Sequence, residues 1–145
     1  MTQSTRPHEK PRLGITIGDI NGVGPEVVMK ALADSRILNL VTPVIYGAAR
    51  VLTFYKKLLA LEEFNFSQVK GKGQFQSKSI NVVNCWEEPI EVNPGQPTRE
   101  TGLASLKALQ CAAAEAKEGL IDALVTAPID KHSIHSEDFP FRGHT

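Results

Sequence analysis

The chemistry-bearing residues of this 145-residue chain crowd into two stretches, "GDINGVGPE" at 18–26 and "LVTAPIDKHSIHSEDFPFRGHT" at 124–145. The first offers Asp19 and Asn21 as candidate polar contacts beside Gly22 and Gly24, in a strand-to-helix turn of the kind that receives ligands. It is not a nucleotide P-loop, because no Gly-Lys-Ser/Thr follows. It is not a full dinucleotide fingerprint either, since Val27 occupies the third glycine position and Pro25 removes an N–H. A tight turn that merely needs glycines explains the same residues equally well. The second stretch sets Asp130 and Lys131 near a helix start. His132 and His135 share a helical face, yet two histidines without a third ligand make a poor metal site, and surface or capping roles explain them. The corner Phe139-Pro140-Phe141 delivers Gly143, His144 and Thr145, an arrangement suited to placing an imidazole and a hydroxyl beside a ligand.

Both stretches need strands and helices to hold them. Residues 1–11 read as a solvated tail. A buried strand is expected over "LGITIGD", followed by a helix from Pro25 to about Asp34. "TPVIYG" reads as a strand, and "AARVLTFYKKLLALE" as a helix with Val51, Phe54, Tyr55, Leu58 and Leu59 facing the core. A polar excursion with one short strand fills 62–79. "SINVVNC" is strand-like, and "EEPIEVNPGQP" is a loop. A long helix runs from Thr98 to about Glu118, its core face assigned to Leu103, Leu106, Leu109, Ala113 and Ala116, with Gly119 as its stop. "DALVTAP" is the last strand, and a short helix from Pro128 to about Ser136 follows. The alternation predicts an α/β fold with a partly parallel sheet, whose ligands bind beyond the carboxyl ends of the strands.

Composition narrows the function class. Sixteen Lys and Arg balance sixteen Asp and Glu, which argues against nucleic-acid or membrane-surface partners. No apolar run is long enough for a membrane span, and no signal sequence is evident at the start, so a cytoplasmic protein with reduced thiols is expected. Cys85 and Cys111 have no metal-site spacing. Cys111 is expected as a buried core thiol, and a disulfide between the two stays open.

Taken together, "ITIGDINGVGPEVV", "ETGLASLKALQCAAAEAKEGLIDALVTAPIDKHSI" and "FPFRGHT" resemble the 4-hydroxythreonine-4-phosphate dehydrogenase family of vitamin B6 biosynthesis. The resemblance runs along nearly the whole chain in matching order. Ile20, Asp130 and Arg142 depart from the family's usual residues, and Asp130 changes the local charge. It implies a three-layer α/β/α fold like that of isocitrate and isopropylmalate dehydrogenases, without the usual dinucleotide glycine loop. It further implies NAD(P)-dependent oxidation and decarboxylation of 4-phosphooxy-L-threonine with a divalent metal (Zn, Mg or Co), in a homodimer with its site at the subunit interface. His144 and Thr145 map onto the family's substrate-binding His and Thr, while Lys131 joins Asp19, Asn21, Gly22 and Gly24 as ligand-facing candidates. The family is about twice as long, and its three metal-binding histidines lie in its second half. None of His8, His132, His135 or His144 is assigned to that triad. Residues 12–145 are thus expected to be the N-terminal portion of such an enzyme, inactive alone and prone to aggregate. The alternatives are a D-threonate or D-erythronate 4-phosphate dehydrogenase, a phosphate-acyltransferase-like protein, and a non-catalytic module that binds a phosphorylated ligand.

Overall fold

The computed structural model describes residues 10–96 and 98–128. Five strands form one parallel sheet: β1 (Arg12–Thr16), β2 (Thr42–Gly47), β3 (Ser67–Gln68), β4 (Asn81–Asn84) and β5 (Ala123–Thr126). Their spatial order is β3-β4-β2-β1-β5, and every neighbouring pair is parallel. Helices α1 (Gly24–Leu32), α2 (Ala49–Leu58) and α3 (Arg99–Lys117) connect them. The expected α/β alternation is what the chain forms.

Period-two alternation along the strands divides the core. Ile15, Ile45 and Val82 pack with Val28, Met29 and Leu32 of α1 and with Val51, Leu52 and Tyr55 of α2. Val44 and Tyr46 point to the opposite face, against Ala112 of α3 and Ile121. The sheet is therefore sandwiched between helices, in three layers. β2 is buried along its whole length, as befits a central parallel strand.

Boundaries and faces differ in places from the sequence reading. Lys10 and Pro11 do not belong to a solvated tail. The Pro11 carbonyl accepts from Thr42 N–H at 2.8 Å, and the Lys10 ammonium donates to the Leu38 carbonyl at 2.6 Å. α1 stops at Leu32 because Asp34 accepts the Arg36 N–H at 3.0 Å and caps a separate 3₁₀ turn, Ser35–Asn39. α2 ends at Leu58, where Ala60 takes a left-handed φ of 54°. Of its expected core face, Phe54 and Leu58 are exposed, and Leu52 is fully buried instead.

The largest correction concerns α3. Thr98 caps it, accepting the Thr101 N–H at 3.1 Å while Thr101 Oγ1 accepts the Thr98 N–H at 2.9 Å. Its buried stripe is Thr101, Ala104, Ser105, Ala108, Ala112 and Glu115, together with Leu106. Leu103, Leu109 and Ala116 are only half-buried, and Ala113 is exposed. Small side chains let the helix lie close to the sheet, and the polar members find partners there. Glu115 accepts a 2.8 Å hydrogen bond from the Tyr46 hydroxyl, and both residues are buried. Cys111, expected inside, is half-buried beside that stripe, and both cysteines are free. Among the described residues, no helix is long and apolar enough to cross a membrane.

Candidate substrate-binding site

From β1 the chain winds outward through β2 to β4, then returns through α3 to place β5 on the other flank of β1. The direction of the strand connections thus changes between β1 and β5, and in α/β sheets ligands bind beyond the carboxyl ends of the strands at such a point. The "GDINGVGPE" turn leaves β1 there, and Ala127 and Pro128 leave β5 there. The two are joined by backbone: Asp19 N–H donates to the Pro128 carbonyl at 2.9 Å, and Ala127 N–H to the Thr16 carbonyl at 3.3 Å.

Two glycines make this junction possible. Gly18 has φ +76°, and a Cβ there would sit 2.3 Å from the Pro128 carbonyl oxygen. At Gly24 a Cβ would lie 2.3 Å from the Ile17 carbonyl oxygen, so glycine lets α1 abut the end of the strand. Between them, Asp19 Oδ1 accepts the Asn21 N–H at 3.0 Å and the Asp19 carbonyl accepts the Gly22 N–H at 3.0 Å, forming an Asx-type turn.

Three elements distant in sequence clamp this turn. The Ser105 hydroxyl of α3 donates to the Gly18 carbonyl at 2.9 Å, and the Tyr55 hydroxyl of α2 donates to the Ile20 carbonyl. The third clamp is the 93–96 loop. Asn21 Nδ2 donates to the Gln96 carbonyl at 2.7 Å, Asn21 Oδ1 accepts the Asn93 N–H at 2.8 Å, and the Asn21 carbonyl accepts the Gly95 N–H at 2.6 Å. A turn fixed this way is preorganised, because its backbone directions do not wait for a ligand. Burial, and then the negative charges of Asp19 and Glu26, push the Tyr55 phenol above its ordinary value.

The sequence candidates separate accordingly. Asp19 is buried at the junction of the two loops, and Gly22 is half-buried. The Asn21 side chain, 1% exposed, is turned toward the 93–96 loop. Gly24 serves helix packing. Lys131, His144 and Thr145 lie outside the described residues, as do His8, Asp130, His132, His135, Arg142 and the helix expected over 128–136. Sequence reasoning missed Tyr55, Asn93 and Ser105 as site supports. Only the polar run Thr98, Thr101, Ser105 along one side of α3 carried a signal.

The described residues do not fit the implied cofactors. No three His, Cys, Asp or Glu side chains among them gather as a metal site. The start of α1 is a poor pyrophosphate cradle, because Pro25 lacks an N–H.

The sequence profile of the family described as "Pyridoxal phosphate biosynthetic protein PdxA" matches residues 39–145. The chain belongs to this family. A 4-hydroxythreonine-4-phosphate dehydrogenase from Bacteroides thetaiotaomicron is 47% identical over 136 residues, covering 94% of the chain and 37% of the relative. A D-threonate 4-phosphate dehydrogenase from Bordetella bronchiseptica is 31% identical over 148 residues, covering 100% of the chain and 42% of the relative. Among solved structures, a 4-hydroxythreonine-4-phosphate dehydrogenase from Burkholderia phymatum superposes with a TM-score of 0.84 at 28% identity, over 94% of the chain and 42% of that protein. The chain thus spans about two fifths of the length of the PdxA relatives it matches, and its three-layer fold is theirs.

Proposed function

We propose that this chain forms part of an NAD(P)-dependent dehydrogenase that oxidises the C3 hydroxyl of 4-phosphooxy-L-threonine. Decarboxylation of the 3-keto acid then gives 3-amino-2-oxopropyl phosphate for pyridoxal 5′-phosphate synthesis. The observation that carries the proposal is the backbone junction of the two motif loops at the β1/β5 switch point, the Asp19 N–H to Pro128 carbonyl bond above all. It brings the glycine turn to the root of the segment bearing Lys131, His144 and Thr145. In this reading His144 and Thr145 hydrogen-bond the substrate, Lys131 faces it, and the clamped turn forms a fixed wall. A bound divalent metal would supply Lewis acidity, with nicotinamide accepting the hydride. Their ligands are assigned to residues other than those described. The full-length protein is proposed to be a cytoplasmic homodimer, and light scattering tests its mass.

The identity of 31% to the Bordetella protein supports a second reading, oxidation of D-threonate 4-phosphate. Turnover of both substrates by the full-length protein, followed as NAD(P)H formation with divalent metal present, separates the two. The higher kcat/KM identifies the substrate. Turnover of neither, with calorimetric binding of a phosphorylated four-carbon acid in the absence of metal and nucleotide, would instead identify a binding module.

A further inference from the structure

Of the six asparagines in the sequence, only Asn21 is followed by glycine. Asparagine before glycine is the pair most prone to lose its amide, because the bare glycine backbone lets its nitrogen swing onto the preceding side chain. The fold demands both residues. Asn21 ties the turn to the 93–96 loop through its side-chain nitrogen, its side-chain oxygen and its carbonyl. At Gly22 a Cβ would lie 2.9 Å from Asp19 Oδ2, and that carboxylate is buried and held by the bond from Asn21 N–H at 3.0 Å. The turn thus carries a labile pair because its geometry requires one.

We propose that Asn21-Gly22 is a conformation-gated deamidation site, kept intact by the 93–96 clamp and converted to aspartate or isoaspartate when the clamp opens. The Gly22 backbone nitrogen attacks Cγ of Asn21. A C–N bond forms, the Cγ–Nδ2 bond breaks, and Nδ2 leaves as ammonia with the Gly22 proton. Water then opens the cyclic imide at either carbonyl. Opening at one gives aspartate, and opening at the other gives isoaspartate with the backbone rerouted through the side chain. One water is consumed and one ammonia released.

In the closed turn every reacting group is occupied. Gly22 N–H donates to the Asp19 carbonyl at 3.0 Å, Asn21 Nδ2 to the Gln96 carbonyl at 2.7 Å, and Asn93 N–H to Asn21 Oδ1 at 2.8 Å. Asn21 is 1% exposed, so hydrolytic water is kept out as well. Those three hydrogen bonds must break before attack, and each is worth about fivefold in the opening equilibrium, so the clamp should slow the reaction about 100-fold. The opening is local: Pro94, Gly95 and Gln96 are exposed, and nothing packs within 4 Å of where a Gly95 Cβ would be. Conversion prevents reclosure. Aspartate has no donor for the Gln96 carbonyl and sets a second carboxylate beside Asp19, while isoaspartate lengthens the turn by a methylene. Each opening that ends in chemistry is therefore irreversible.

Incubation of the full-length protein in neutral buffer, folded and in guanidinium chloride, tests this. Mass spectrometry of the tryptic peptide 13–30, whose one asparagine is Asn21, follows the loss, with Asn39 in peptide 37–50 as the reference. In guanidinium Asn21 should convert faster than Asn39. In the folded protein it should convert about 100-fold more slowly than in guanidinium. Gly95→Ala strains a φ of +83° and leaves the reacting pair unchanged. It should speed conversion in the folded protein about fivefold or more and leave the rate in guanidinium unaltered. Equal rates in the folded and denatured protein overturn the proposal, as does conversion in guanidinium no faster than that of Asn39. A Gly95→Ala protein that is folded by circular dichroism yet converts at the wild-type rate overturns it too. The folded-to-denatured comparison uses the unaltered sequence and so does not depend on the variant folding.

Discussion

Replacing Asn21 with alanine separates a ligand contact from a structural clamp. The Asn21 amide makes two hydrogen bonds, to the Gln96 carbonyl at 2.7 Å and from the Asn93 N–H at 2.8 Å. Each is worth about 1 kcal/mol net, and a buried partner left without its bond adds about 1–3 kcal/mol. Gln96 is exposed and recovers water, whereas Asn93 is half-buried and recovers less. The expected loss is therefore about 2–3 kcal/mol. It should appear in denaturant unfolding of the full-length protein as a lower midpoint at unchanged slope. Asn21→Asp is the control. It keeps an acceptor for Asn93 N–H but loses the donor to Gln96 and brings a second carboxylate near Asp19, so it should also destabilise. A ligand contact predicts the opposite pattern, with KM raised and stability intact. If Asn21→Ala unfolds within about 0.5 kcal/mol of wild type while KM rises, the clamp is refuted and Asn21 belongs to the ligand.

Gly24→Ala must move either α1 or the Ile17 carbonyl, so it should cost about 1–3 kcal/mol by overpacking, read as a lower melting temperature. Gly18→Ala adds the strain of φ +76° to its clash with Pro128 and should cost more than Gly24→Ala in the same assay. Tyr46→Phe leaves the buried Glu115 without its hydroxyl donor and should cost about 1–3 kcal/mol near neutral pH in chemical unfolding. Burial, and then the Glu115 hydrogen bond, raise the Tyr46 phenol well above its ordinary value. Its contribution is thus full below the unfolded tyrosine pKa of ~10 and falls above it by up to ~1.4 kcal/mol per pH unit. Tyr46→Phe should flatten that alkaline slope. Under the proposed function, His144→Ala or Thr145→Ala should each lower kcat/KM for the phosphorylated substrate about 10-fold or more at unchanged melting temperature, as expected for loss of one substrate hydrogen bond.

Periodicity and punctuation carried most of the fold. Pro25, the Thr98 cap and Gly119 mark helix ends by local backbone chemistry, which a sequence displays directly. The face of α3 was not legible in the same way. Leucines at three- and four-residue steps looked like the core side, yet Thr101, Ser105 and Glu115 are the buried ones. Their burial is tolerable only because Thr98, Gly18 and Tyr46 supply partners, and those lie up to 87 positions away. For Ser105 and Glu115 no window of local sequence contains that information. The same holds for Asn21, whose partners at 93–96 sit in a stretch that reads only as a loop.

The glycine turn was ambiguous for a related reason. Glycines that admit a ligand and glycines that admit another backbone look alike in a sequence. Here the space at Gly18 is taken by the Pro128 carbonyl and that at Gly24 by the Ile17 carbonyl, so both let protein approach protein. The mouth of the turn carries the Asp19 carboxylate, and the first turn of α1 carries Glu26. Glu26 is paired with Lys30 at 2.6 Å, and Pro25 offers a phosphate no N–H. The segment that continues from Pro128 carries the cation Lys131 within three residues of the junction. On the proposed function the clamped turn supplies a rigid wall for 4-phosphooxy-L-threonine, and Lys131 faces the phosphate. Lys131→Met should then raise KM for the phosphorylated substrate about 10-fold or more, as for the loss of a charge-assisted hydrogen bond, with the melting temperature unchanged. An unchanged KM would send the phosphate to another part of the protein.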